Sequence, residues 1–141
     1  DKNVETGYSN NSGSVMANLY TFSGGMITGL QLYTSGTGQF SMALYADSGT
    51  GAPSTLIAQS EPVSAITSPG WNTAPLPTKL TLSSGNYWIA FQTDTNLVTY
   101  YLFNGTSLPY VTQGFGPFPA NFSGYTACVC SVISMNANYC P

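Results

Sequence analysis

The sequence predicts an all-β fold, an antiparallel two-sheet β-sandwich, and three observations predict it. Short runs alternate apolar and polar residues. Clusters of Gly, Pro and Asn interrupt these runs roughly every 8–12 residues, the spacing of sandwiches and barrels. No long stretch carries the 3.6-residue periodicity of an amphipathic helix. In chain order the strands fall at 15–22, 26–34, 39–46, 55–61, 71–76, 78–83, 86–93, 97–103 and 126–135. The breaks between them are Ser23-Gly24-Gly25, Ser35-Gly36-Thr37-Gly38, Asp47-Ser48-Gly49-Thr50-Gly51 and Ser84-Gly85-Asn86, residues that tolerate the backbone of tight turns. No linker or repeat divides residues 15–141, which therefore read as one domain.

Two segments depart from this rhythm. Residues 1–14 are polar, with Val4, Thr6 and Tyr8 alternating as an extended strand does, so they read either as a tail or as a strand donated to a neighbour. Residues 104–125 are rich in Pro and Gly and carry Tyr110, Phe115, Phe118, Phe122 and Tyr125, which predicts a long loop packed down over the sandwich.

Composition narrows the function. The chain has 141 residues, five acids, two lysines and no histidine; only 5% of its residues are charged, and the net charge is −3. Nucleic acid and anionic membranes demand a basic footprint that this chain lacks. No apolar stretch is long enough to insert in a bilayer, and the start lacks a signal region, as expected of a secreted chain already processed. Hydrophobic residues make up 43%, enough to drive folding. Ser, Thr, Asn and Gly replace charge on the surface, which offers little repulsion against self-association.

The segments LYADSGTGAPSTLIAQS (44–60) and GNYWIAFQ (85–92), within a match over 26–93, resemble a family of secreted jelly-roll modules built like carbohydrate-binding domains of extracellular and surface proteins. The resemblance implies a jelly-roll-like antiparallel sandwich without catalytic apparatus. The residues agree with a sandwich: Phe40, Met42 and Leu44 share one strand face, as do Tyr87, Ile89 and Phe91, and these are the expected core. The opposite face carries Tyr45 and Trp88, with Tyr33 alongside, and is too apolar for a solvated sheet. Tyr33, Tyr45, Trp71 and Trp88 are accordingly candidates for an interface covered by loops or a second subunit, or for sugar stacking.

Chemistry is sparse. Without histidine there is no Ser or Cys triad. Asp47, Glu61 and Asp94 each fit a turn or strand-end role better than a glycosidase pair. No cofactor is expected; calcium on Asp47 or Asp94 is a minor alternative, since neither lies in an acidic run. Asn10, Asn104 and Asn121 each open an Asn-x-Ser/Thr acceptor for N-linked glycan. Of three cysteines, Cys130 is expected to pair with Cys140, leaving Cys128 a packed thiol, with Ala127, Val129, Ile133 and Met135 as the core stripe. The sequence thus suggests a non-enzymatic extracellular glycoprotein subunit that self-associates into a filament or surface layer, or alternatively a carbohydrate-binding module.

Overall fold

Turn chemistry at nearly every predicted break leaves little room for helices, and among the described residues there are none. This structure, a computed structural model, describes the backbone of residues 7–10, 12–95 and 97–140, with the side chains of all of these except 7–10, 103, 130, 131 and 140. The strands are β1 (Gly7–Asn10), β2 (Ser14–Phe22), β3 (Gly25–Ser35), β4 (Gln39–Asp47), β5 (Pro53–Gln59), β6 (Val63–Ser64), β7 (Gly70–Leu82), β8 (Gly85–Thr93), β9 (Val98–Thr112), β10 (Thr126–Ile133) and β11 (Met135–Cys140).

They form two antiparallel sheets packed together, an all-β sandwich. One layer centres on β3, flanked by β7 and β11. The other runs β2-β8-β4-β5. The long strand β9 belongs to both, since Val98 and Thr99 pair with β3 while Tyr110–Thr112 pair with β2. Between the layers lies the main core: Leu30 and Leu32 from β3, Phe40, Met42 and Leu44 from β4, Ile89 and Phe91 from β8, Met135 and Ala137 from β11. The alternation read from β4 and β8 is therefore the observed inward face.

Several boundaries differ from the sequence reading, each for a physical reason. The runs 71–76 and 78–83 are one strand, β7. It pairs only with β3, and the register shifts between Ile27 and Gly29, so Pro75 and Pro77 sit where a missing N–H costs nothing. Strand β9 continues through Asn104-Gly105 to Thr112, halfway into the expected loop. Gly105 accommodates the bend with φ of 75°, and Asn104 Oδ1 accepts the Thr106 N–H at 3.0 Å. The run 126–135 breaks at Ser134, and the tail beyond it forms β11.

Asn104–Thr106 bulge opposite the single residue Cys130, which reverses the side-chain alternation along β10. Cys128 and Ile133, an odd number of residues apart, consequently both face the core, while Val129 is 71% exposed. Val129 is thus not a core residue, and the expected stripe holds only from Ile133 onward. Residues 1–14 are likewise not all tail: Gly7–Asn10 pair in register with Tyr101–Val98 of the same chain.

A second core lies on the far side of the β2-β8-β4-β5 layer. Val15, Ala17, Ala43, Tyr45, Trp88 and Ala90 point outward from the sheet and are covered by Phe118 and Phe122. The loop carrying these two rings is fastened to β5 through the backbone: Leu56 N–H donates to Ala120 O and Phe122 N–H to Ser54 O, both at 2.9 Å. Phe122 meets the Tyr45 ring edge-to-face with centroids 5.3 Å apart. Truncating it unroofs that face. Phe122→Ala is expected to cost about 3–5 kcal/mol, measured by denaturant unfolding, and to red-shift the tryptophan emission as water reaches Trp88.

Candidate functional site

The four aromatics singled out in the sequence separate into two pairs on different sheets. Tyr45 and Trp88 are buried beneath the 113–125 loop. Of the alternatives read from the sequence, cover by a loop of the same chain is the one found for this pair, which leaves neither ring open to a sugar. Their polar atoms are spoken for: the Tyr45 hydroxyl donates to Pro119 O at 2.7 Å, and Trp88 Nε1–H donates to Asp47 Oδ1 at 2.9 Å. Gln92 closes the same roof, donating from Nε2 to Ser41 Oγ and to Gly116 O.

Tyr33 and Trp71 lie together on the outer face of the other layer. They are directly opposite in the β3–β7 register, and their rings meet edge-to-face at 5.5 Å. Tyr100 of β9 joins them at 5.1 Å from Tyr33. A three-way strand junction places this third ring. Ser134 N–H donates to Tyr100 O while Ser134 O accepts the Tyr33 N–H, each at 2.9 Å, so one buried residue ties both tyrosine backbones together. Beside the rings lie Gln31, Thr73 and Asn138; Gln31 Nε2 donates to Thr73 Oγ1 at 3.2 Å, and Asn138 Nδ2 approaches the same oxygen at 3.5 Å. Gln31 Oε1 is buried without a hydrogen-bond partner. The face is half-buried, neutral and aromatic, bordered by amides and a hydroxyl: chemistry suited to an uncharged, hydroxyl-rich ligand or to another neutral protein surface.

The carboxylates serve structure. Asp94 Oδ1 accepts the backbone N–H groups of Gln39 and Thr95, and Asp47 holds Trp88. The two stand at opposite ends of β4, and among the described residues no three His, Cys, Asp or Glu are grouped to hold a metal ion. A groove of about 240 Å³ at the rim of the roof is lined by Ser41, Gln59, Ser60, Glu61, Pro62, Gly116 and Pro117. Glu61 is the one ionisable residue in that lining, so the groove does not assemble a pair of carboxylates.

The acceptor asparagines Asn104 and Asn121 are exposed, Asn104 in the β9 bend and Asn121 beside β5, where it bridges Thr55. Asn10 lies in β1. Of the strand-donor residues, Tyr8 lies in β1 opposite Tyr100, whereas Val4 and Thr6 lie outside the described residues. Cys128 packs half-buried against the main core, and the side chains of Cys130 and Cys140, expected to pair, lie outside the described ones. Among the described residues no helix is long and apolar enough to cross a membrane. The chain matches no protein-family model, no curated protein and no solved structure.

Burial pushes the Tyr45 phenol above its ordinary pKa of 10.0. Because the folded state favours the protonated phenol, its contribution is fully present below pH ~10 and is lost as pH rises beyond it. Wild-type stability should therefore fall above pH 10. Tyr45→Phe should lose about 1 kcal/mol at neutral pH with the bond to Pro119, yet show a shallower alkaline decline; unfolding midpoints from pH 7 to 12 test both.

Proposed function

We propose that the protein is a non-enzymatic extracellular glycoprotein subunit that self-associates into a filament or surface layer. The observation that carries this reading is the surface itself. The described residues expose 6550 Å² while contributing only Asp47, Glu61, Lys79 and Asp94 as charged side chains. One apolar sheet face is roofed by the chain, but the Tyr33–Trp71–Tyr100 face is not fully covered. Neutral surfaces of this kind associate through apolar contact and hydrogen bonds, with little charge repulsion to keep copies apart. N-linked glycan on exposed Asn104 or Asn121 would supply the solubility that charge does not. The jelly-roll reading is supported by the path of the chain, which pairs β2 with β8 and β3 with β7 across long separations. Negative-stain microscopy of native material is expected to show ordered polymers, and sedimentation should find them undiminished between 0.05 and about 1 M salt, since few charges are available to screen. Monomers under all conditions would remove the reading.

The unpartnered Gln31 Oε1 favours a second reading, a carbohydrate-binding module that uses Tyr33, Trp71 and Tyr100 as its contact rings with Gln31, Thr73 and Asn138 beside them. In that case Trp71→Ala should weaken binding of a neutral oligosaccharide about tenfold, or ~1.4 kcal/mol, by calorimetry. Trp88, sealed beneath the roof, should contribute nothing directly. Equal affinity of the Trp71→Ala and wild-type proteins would exclude this reading.

A further inference from the structure

The segment Gly7–Asn10 is held by one neighbour. Among the described residues β1 pairs with β9 alone, through Gly7↔Tyr101, Tyr8↔Tyr100, Ser9↔Thr99 and Asn10↔Val98. The next strand, β2, lies in the other layer. Its start is fixed where Gly13 O accepts the Gln113 N–H at 3.1 Å and Ser14 pairs with Thr112. Ser12 and Gly13 therefore lie in the joint between layers. Gly13 has φ of 81°, a conformation that L side chains rarely adopt, and a Cβ there would meet nothing within 4 Å. A four-residue ladder on a glycine joint is among the least expensive parts of a sandwich to release.

We infer that β1 is an exchangeable strand, with the β1 of one copy occupying the β9 edge of the next in place of that copy's own. This deepens the self-association reading and rests on it; the occupant is a second copy of this chain. Releasing β1 exposes the outer edge of Val98–Tyr101, a row of backbone donors and acceptors whose inner edge is already taken by Thr34 and Ser35 of β3 and by Ile133 of β10. Such an edge is a template for strand addition. The identical segment from another copy restores the same hydrogen bonds in the same register, so the exchange forms as many bonds as it breaks. Passed head to tail, it does not close on itself and generates a filament.

The β5 and β7 edges are blunted. The roof loop bonds to β5 through Leu56 and Phe122, and β7 carries Pro75 and Pro77. The β9 edge has no such device beyond β1 itself.

Mixing two full-length variants tests the exchange. Asn10→Cys places a thiol on the donor strand of one chain, and Val98→Cys places its register partner on another. Assembled together under mild oxidation, the mixture is expected to give an interchain 10–98 link, identified by peptide mass and absent from either variant alone. Deletion of residues 1–10 should leave a chain with wild-type circular dichroism that no longer elongates. Polymers formed from the mixture without the interchain 10–98 link would overturn the exchange and leave self-association standing. Absence of polymers from the wild-type chain would overturn both.

Discussion

Strands β4 and β8 are buried on both faces over most of their length, and the rest of the structure depends on that constraint. An antiparallel sheet ordinarily turns one face to water and alternates accordingly. Here Phe40, Met42 and Leu44 fill one core while Ala43 and Tyr45 fill another. The second core demands a lid, and the chain supplies it from its own loop. That lid is held by Tyr45 from beneath, by Gln92 at one side and by the backbone of β5 at the other. It also caps the β5 edge, so one segment excludes water from the aromatic face and occupies a strand edge that would otherwise be open to pairing.

Roofing one sheet decides where function can lie. Tyr45 and Trp88 have the ring chemistry of a contact site but not the access; Tyr33, Trp71 and Tyr100 keep some of both. The difference follows from connectivity. β9 and β10 bring Ser134 between Tyr33 and Tyr100, a junction that draws rings from distant parts of the chain onto one face without covering them.

Much of the sandwich was legible in the sequence because the alternation in QFSMALYA and NYWIAFQT has period two and the turns between strands carry Gly. The loop aromatics announced a roof that Phe118 and Phe122 form, whereas Tyr110 lies in β9 and Tyr125 is 41% exposed. What escaped was whatever depended on pairing partners. Pro77 fell at the break between the runs 71–76 and 78–83, and only the knowledge that β7 is an edge makes a proline tolerable there. Val129 read as core because the bulge at Asn104–Thr106 of β9 leaves no mark in β10 itself. Tyr33 and Trp71 were visible as candidates, but Tyr100, Gln31, Thr73 and Asn138 were not, because their meeting is fixed by cross-strand register among β3, β7, β9 and β11. Register is a property of pairs, and a single strand's pattern states only which face it offers.

Scarcity of charge leaves amides to make the joints that ion pairs make elsewhere. Asn72 accepts the Ile66 N–H and donates to Thr34 O and Gly70 O; Asn18 accepts the Ile133 N–H across the layers; Gln92 accepts from Gly116 and donates back to its carbonyl. An amide presents donor and acceptor at once, so it can satisfy two buried backbone groups with none of the desolvation cost of a charge. It also does not titrate. Among the described residues the carboxylates stand at strand ends or between strands, at Asp47, Glu61 and Asp94, while the interior joints remain neutral at any pH. A domain built this way keeps its layers together where salt and acidity vary. The same neutrality leaves its outer surface with little electrostatic resistance to a second copy.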